Sequence, residues 1–191
     1  RTKDKIIISL TCILIIFSLS RHDNISEGFK IAQENIKMWS IGESNITSAG
    51  MRLELWSGSI EAFKQSPWLG YGYRSANHAV SNFTDPKIKE TVSAFTHLHN
   101  EYITNLISAG IVGLLSVLLL IFLPLKICIN NINNKKTFIY SFMGIILCSS
   151  YALIGMTHIA FGEEHVNAFY IFFLAILLPK VIKESKSPSP T

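Results

Sequence analysis

Apolar residues gather in four blocks, 6–19, 103–129, 137–161 and 166–182, and the polar stretch between the first two is by far the longest. A helix rises about 1.5 Å per residue, so about 20 apolar residues cross a hydrocarbon core roughly 30 Å thick. Three blocks are long enough to span and the first is marginal. The pattern therefore predicts an all-α integral membrane protein of about four transmembrane helices with one large extracytoplasmic helical loop. The spans fall at 1–19, 103–129, 137–161 and 166–182, the loop at 20–102, the short connections at 130–136 and 162–165, and a tail at 183–191. Residues 1–20 also fit a secretory signal, with a basic start, a short apolar centre and small residues at its end. The chain has no initiator Met, which favours an internal span of a longer protein.

Inside the long loop, a short helix is expected around 29–39 and an amphipathic helix over 51–65. In the second helix Leu53, Trp56, Ile60 and Phe63 recur at three- and four-residue steps, and Ser66-Pro67 ends the run. Arg52 lies one turn before Trp56 and so borders the apolar stripe. By pattern alone, an arginine there more often snorkels to headgroups than binds a ligand. The following Pro67-Trp68-Leu69-Gly70-Tyr71-Gly72 allows a tight turn with exposed backbone N–H groups, and Arg74 comes just after it. It lacks the third glycine of a dinucleotide fingerprint. Its aromatics suit a sugar face or the membrane belt equally well. Residues 75–96 read as a mobile loop with a turn at Asp85-Pro86. In the second span, Ala109 and Gly113 form a small-xxx-small pattern that suits the close approach of another helix.

Composition sharpens this picture. At 49% hydrophobic residues and a mean hydropathy of +0.34, the chain is too apolar for an ordinary soluble domain. The net charge of +4 gathers at 1–5, 126–136 and 180–191, whereas the 162–165 turn carries Glu163 and Glu164. Basic loops mark the cytoplasmic side, so both termini lie inside, and 20–102 and 162–165 lie outside. The basic excess thus reports topology: the lipid bilayer is a partner and nucleic acid is not expected to be one. Cys12, Cys128 and Cys148 all fall in or beside apolar blocks, which points to packing or lipid contact rather than a disulfide framework.

The densest chemistry is His97-Leu98-His99-Asn100-Glu101-Tyr102, at the outer mouth of the second span. An imidazole titrates near pH 6.5, which suits a base that must take a proton from a hydroxyl. A metal is the weaker reading: ligands two apart on a helix point about 200° apart, and no third ligand has a defined spacing. A structural pair of interfacial histidines is the plain alternative. His158 and His165 flank the outer turn with Glu163 and Glu164, and read as interfacial residues at the edge of the same site.

Taken in order, Arg52-x-x-x-Trp56, Pro67-Trp68-Leu69-Gly70-Tyr71-Gly72, His97-Leu98-His99-Asn100-Glu101-Tyr102 and Gly110 leading into an apolar span resemble the O-antigen ligase family and its relatives, the O-antigen polymerases. The resemblance covers about residues 50–125. It implies a multi-span bacterial inner-membrane glycosyltransferase of the GT-C type, with its active site on a large periplasmic loop. Such enzymes move a glycan from a polyprenyl diphosphate to an acceptor hydroxyl: a lipid A-core sugar in ligases, another repeat unit in polymerases, a protein hydroxyl in related transferases. The family's functional periplasmic Arg and His match Arg52 and His99.

Physical chemistry agrees with that reading. A diphosphate leaving group needs its charge neutralised, and guanidinium forks do this without a metal or other cofactor. Arg52 is assigned to it, with Arg74 second. His99 is the expected general base, and Asn100 or Glu101 orients it or the sugar. His97 joins the substrate-binding group, and Trp56, Trp68 and Tyr71 stack on sugar or polyprenyl or pack in the membrane belt. Family members are longer and have more spans, so the lipid-binding cavity is expected to be incomplete here. The isolated 191-residue chain should therefore show no transfer when incubated with donor and acceptor; detectable product would overturn that expectation.

Overall fold

A computed structural model describes residues 23–41 and 47–185, and every regular element among them is a helix. The helices are α1 (Asp23–Ser40), α2 (Ser48–Gln65), α3 (Ala76–Ser81), α4 (Lys89–Ala94), α5 (Glu101–Asn131), α6 (Phe138–Ile154) and α7 (Glu164–Ser185). The first apolar block, with Cys12, lies outside the described residues. The chain divides into two compact units, residues 1–54 and 55–191.

In the first unit the helix expected at 29–39 is longer, running as α1 from Asp23 to Ser40. Trp39 Nε1 donates to Glu54 Oε2 at 2.8 Å. Thr47 caps α2, because its Oγ1 accepts from the otherwise unpaired N–H of Gly50 at 3.0 Å.

In the second unit α2 has the expected period but a different phase. Its buried positions are Leu55, Gly58, Ser59 and Ala62, whereas Ile60, expected in the stripe, is 60% exposed. Small residues decide this. A Cβ on Gly58 would stand 3.1 Å from the Val80 carbonyl and 3.0 Å from Thr84 Cγ2, so α2 meets the 80–84 backbone at close range only through its small side chains. The segment expected to be a mobile loop is correspondingly folded: α3 and α4 bury Ala76, Ala79, Val80, Ile88 and Val92. Helices of six residues are too short to display a period in sequence. The Asp85-Pro86 turn forms as expected, with Asp85 Oδ1 accepting from Lys87 N at 2.8 Å.

Helices α5, α6 and α7 pack around Val117, Ile121, Leu147, Cys148, Tyr151, Tyr170 and Leu177. Their outward faces are apolar as well, with Leu115, Leu119, Phe142, Ile146, Phe169 and Phe172 all exposed. A helix apolar on every side belongs in lipid or a large core. Cys128 and Cys148 are buried packing residues; Gly144 lets Cys128 close in, since a Cβ there would be 2.5 Å from its Sγ.

Of the four expected spans, two are long and apolar enough among the described residues, Glu101–Asn131 and Glu164–Glu184. The block at 137–161 yields only the shorter α6, Phe138–Ile154. Beyond Gly155 the chain leaves the helix and turns back to the start of α5, where Gly155 O accepts from Glu101 N at 2.8 Å.

Helix α5 is broken at Ala109 (φ −132°, ψ 17°) and Gly110 (φ 64°, ψ −156°). The break leaves backbone groups unpaired, and the 67–72 turn fills it. Tyr71 N donates to Ile107 O at 2.9 Å, Gly72 N to Ser108 O at 2.8 Å, and Ile111 N to Pro67 O at 2.8 Å. Gly110 thus admits the 67–72 turn where the Ala109–Gly113 pattern suggested a second helix, whereas a Cβ on Gly113 would meet Asn105 O of α5 itself at 2.5 Å. Residues 111–131, at about 1.5 Å each, still cover a hydrocarbon core of roughly 30 Å.

The fit is close enough to test. A Cβ on Gly110 would stand 2.3 Å from the Trp68 carbonyl, and one on Gly70 (φ 65°) would stand 2.4 Å from Ile107 O. Gly110→Ala should cost about 1–3 kcal/mol from backbone conformation alone, with the clash added. Gly28→Ala, with nothing within 4 Å, should leave stability unchanged or slightly raised. Thermal unfolding of the detergent-solubilised full-length protein reads both; equal midpoints for the two variants would contradict this clasp of the 67–72 turn on the α5 break.

Candidate functional site: a histidine cluster at the mouth of helix α5

Leu98 sets the geometry of the cluster. Its side chain is fully buried, its N–H donates to Thr104 Oγ1 at 3.3 Å, and its carbonyl accepts from Trp56 Nε1 at 3.2 Å. The chain bends here instead of running extended, and with Leu98 turned into the core the rings of His97 and His99 lie together. Their rings meet edge to face with centroids 4.5 Å apart, and Phe95 packs on His99 at 5.4 Å. His99 has φ 52°, the left-handed conformation that a non-glycine residue seldom adopts. Such a backbone persists where its surroundings impose it, and residues so held recur at functional sites.

The three residues after His99 are tied to the end of α6 and the segment following it. Asn100 Oδ1 caps α5 by accepting from Ile103 N at 3.0 Å, while its Nδ2 donates to Met156 O at 2.9 Å. Glu101 is 3% exposed. Its Oε2 accepts from the N–H groups of Ala160 (2.6 Å) and Phe161 (2.9 Å), and its Oε1 accepts from Asn105 Nδ2 at 2.6 Å. Tyr102 OH donates to Ala152 O at 2.8 Å. A buried carboxylate at a helix N-terminus with three donors is well compensated, by hydrogen bonds and by the helix dipole.

These bonds bring His158 to the cluster. Its ring stacks on His97, with centroids 5.5 Å apart and planes 14° apart, and its Nε2 lies 3.4 Å from Glu163 Oε1. His97 Nδ1 is 2.9 Å from Thr96 Oγ1, whereas its Nε2 is buried without a partner. Burial, and then the neighbouring His158, push the His97 pKa down from its ordinary value, while Glu163 and Glu101 pull the other way.

The other sequence-predicted residues are placed as follows. Tyr71 OH donates to Ala62 O at 2.9 Å, so its hydroxyl fastens the 67–72 turn to α2. Backbone N–H groups of that turn, expected to be open, are taken by α5 carbonyls. Trp68 stands at its tip, 73% exposed. Arg74 is exposed just before α3, and Arg52 is half-buried on α2, within the first unit. Among the described residues no group of three or more His, Cys, Asp or Glu side chains is arranged to hold a metal ion.

A sequence model described as O-antigen ligase matches residues 1–118, more than half of the chain. The chain belongs to the O-antigen ligase family. An uncharacterized protein of Haemophilus influenzae is 26% identical over 175 residues, which cover 87% of this chain and 43% of that relative. The chain thus spans less than half the length of that relative. Within this family member, the matched region contains α2, the clasp and the His97–His99 pair, while His158 and Glu163 lie beyond it. The sequence set His158 only at the site's edge, because it stood within an apolar block. The signal that the helix had already ended was Gly155, followed shortly by the polar Thr157 and His158.

A lowered His97 pKa has a consequence for stability. The native ring binds its proton less readily than the unfolded one, so the unfolded chain takes up more protons below about pH 6.5, and stability falls with pH through that range. His97→Asn should flatten the decline in thermal stability between about pH 7 and pH 5. A decline of unchanged steepness would contradict the buried, neutral ring.

Proposed function

We propose that the full-length protein is a metal-independent glycosyltransferase of surface-glycan biosynthesis, working at the periplasmic face of the bacterial inner membrane. It transfers a glycan from a polyprenyl diphosphate to a hydroxyl of lipid A-core. The observation that carries this reading is His99, held in a left-handed backbone conformation against His97 at the mouth of a broken apolar helix, in a chain of the O-antigen ligase family.

The chemistry follows from the residues. A ring nitrogen of His99 takes the proton of the acceptor hydroxyl as its oxygen attacks the anomeric carbon of the donor. The bond from that carbon to the diphosphate oxygen breaks, and the leaving group departs with the electron pair. Arg52, with Arg74 as a second cation, neutralises the charge that grows on the diphosphate. His97 borders the substrate. Asn100, Glu101, Trp56 and Tyr71 act chiefly by positioning, because their polar atoms are committed to the protein. The aromatic faces of Trp56 and Tyr71 remain candidates for sugar or polyprenyl contact.

The test uses the full-length protein in liposomes with polyprenyl-diphosphate-linked glycan and lipid A-core. Wild type should attach one glycan to lipid A-core, and His99→Ala should slow this by about 10²–10⁴-fold. Arg52→Lys, which keeps charge but loses the fork, should fall well below wild type. Product formation should survive a strong chelator. A ladder of lengthening lipid-linked chains would make the protein a polymerase, and undiminished transfer by His99→Ala would remove its role as base.

A further inference from the structure

We propose that His158, held by Glu163, is a positioning residue of the transfer site: its flat face backs His97 and thereby fixes His97 against His99. This rests on the transferase reading above, and it brings into the site a segment that lies outside the family-matched residues.

Three independent features support it. The first is rigidity. Asn100, Glu101 and Tyr102 anchor Ala152, Gly155, Met156, Ala160 and Phe161, so His158 sits on a stretch fastened at both ends to the residues that directly follow His99. The second is orientation. His158 Nδ1 accepts from Ile159 N–H at 2.7 Å, which in a neutral ring leaves the proton on Nε2, facing Glu163 Oε1 at 3.4 Å. Both nitrogens are thereby engaged and the ring plane is set. The third is contact. His158 stacks on one side of His97, and His97 meets His99 edge to face, so the three rings form one contiguous cluster.

This arrangement bears on the proposed base. A cation at His97, 4.5 Å from His99 by ring centroids, would oppose proton uptake by His99. The charged or titratable groups facing His97 are His99, His158, Glu163 and Glu101. Burial and His158 favour the neutral ring, and the two carboxylates oppose them. His158 thus holds His97 in place through its ring face, and whenever it carries a charge it also opposes one on His97.

Two substitutions in the full-length protein separate these effects. His158→Asn keeps an acceptor for Ile159 N–H but removes the ring. It should lower kcat by roughly 10- to 100-fold, with KM for the lipid-linked donor little changed. His158→Phe keeps a flat face on His97 but not the titratable neighbour. It should retain most of kcat at pH 8, while the acid limb of its pH–rate profile moves to higher pH. A readout that needs no transfer is the ring NMR titration of His97 in detergent or nanodiscs. Its midpoint should rise in His158→Phe, which tests the contact even where the transferase reading fails. An unmoved His97 titration overturns the proposal, and so does full activity of His158→Asn with an unaltered pH profile.

Discussion

Backbone polar groups in a lipid-facing helix must find partners within the protein, and this requirement governs the middle of the chain. The break at Ala109–Gly110 frees the carbonyls of Ile107 and Ser108 and the N–H of Ile111, and the 67–72 turn supplies the matching groups. Neither half is satisfied without the other. Gly70 and Gly110 occur where they do because each brings backbone against backbone at a distance that admits no Cβ. The result joins α2 to α5 through main-chain hydrogen bonds, and Tyr71 adds a side-chain bond to Ala62 on the same join.

Glu101 performs the equivalent task one level above. Burying a carboxylate is costly unless every strong acceptor site is used, and here two backbone N–H groups and one carboxamide use them. A charge so placed cannot shift without leaving three donors unpaired. It therefore fixes the 155–161 segment against the start of α5, and with it the side of the histidine cluster that the family-matched residues do not supply.

These two joins explain how a strained residue is held. His99 follows Leu98, whose side chain, N–H and carbonyl are all engaged, and precedes Asn100, which caps α5 and binds Met156. With both neighbours immobilised, the backbone between them has little choice of conformation, and the left-handed φ of His99 is the outcome. Rigidity on both flanks fixes the direction in which the His99 ring projects, which the proposed role as base would require.

Hydrophobic blocks, by themselves, determined that the chain is helical and apolar, where α5 and α7 run, and that the paired histidines open a long apolar helix. Those features follow from composition and local period, which the sequence displays directly. The motif order also carried the family. Tertiary structure decided the rest. It chose the buried face of α2, because close packing on the 80–84 backbone selected Gly58, Ser59 and Ala62 over the larger stripe. It ended α6 at Ile154, because Glu101, dozens of residues away in sequence, offered the 155–161 backbone better partners than another helical turn. It also turned Trp56, Asn100 and Glu101 inward and set His158 on His97. Those choices rest on hydrogen bonds and ring contacts between distant segments, and such pairings leave no periodic trace in the sequence.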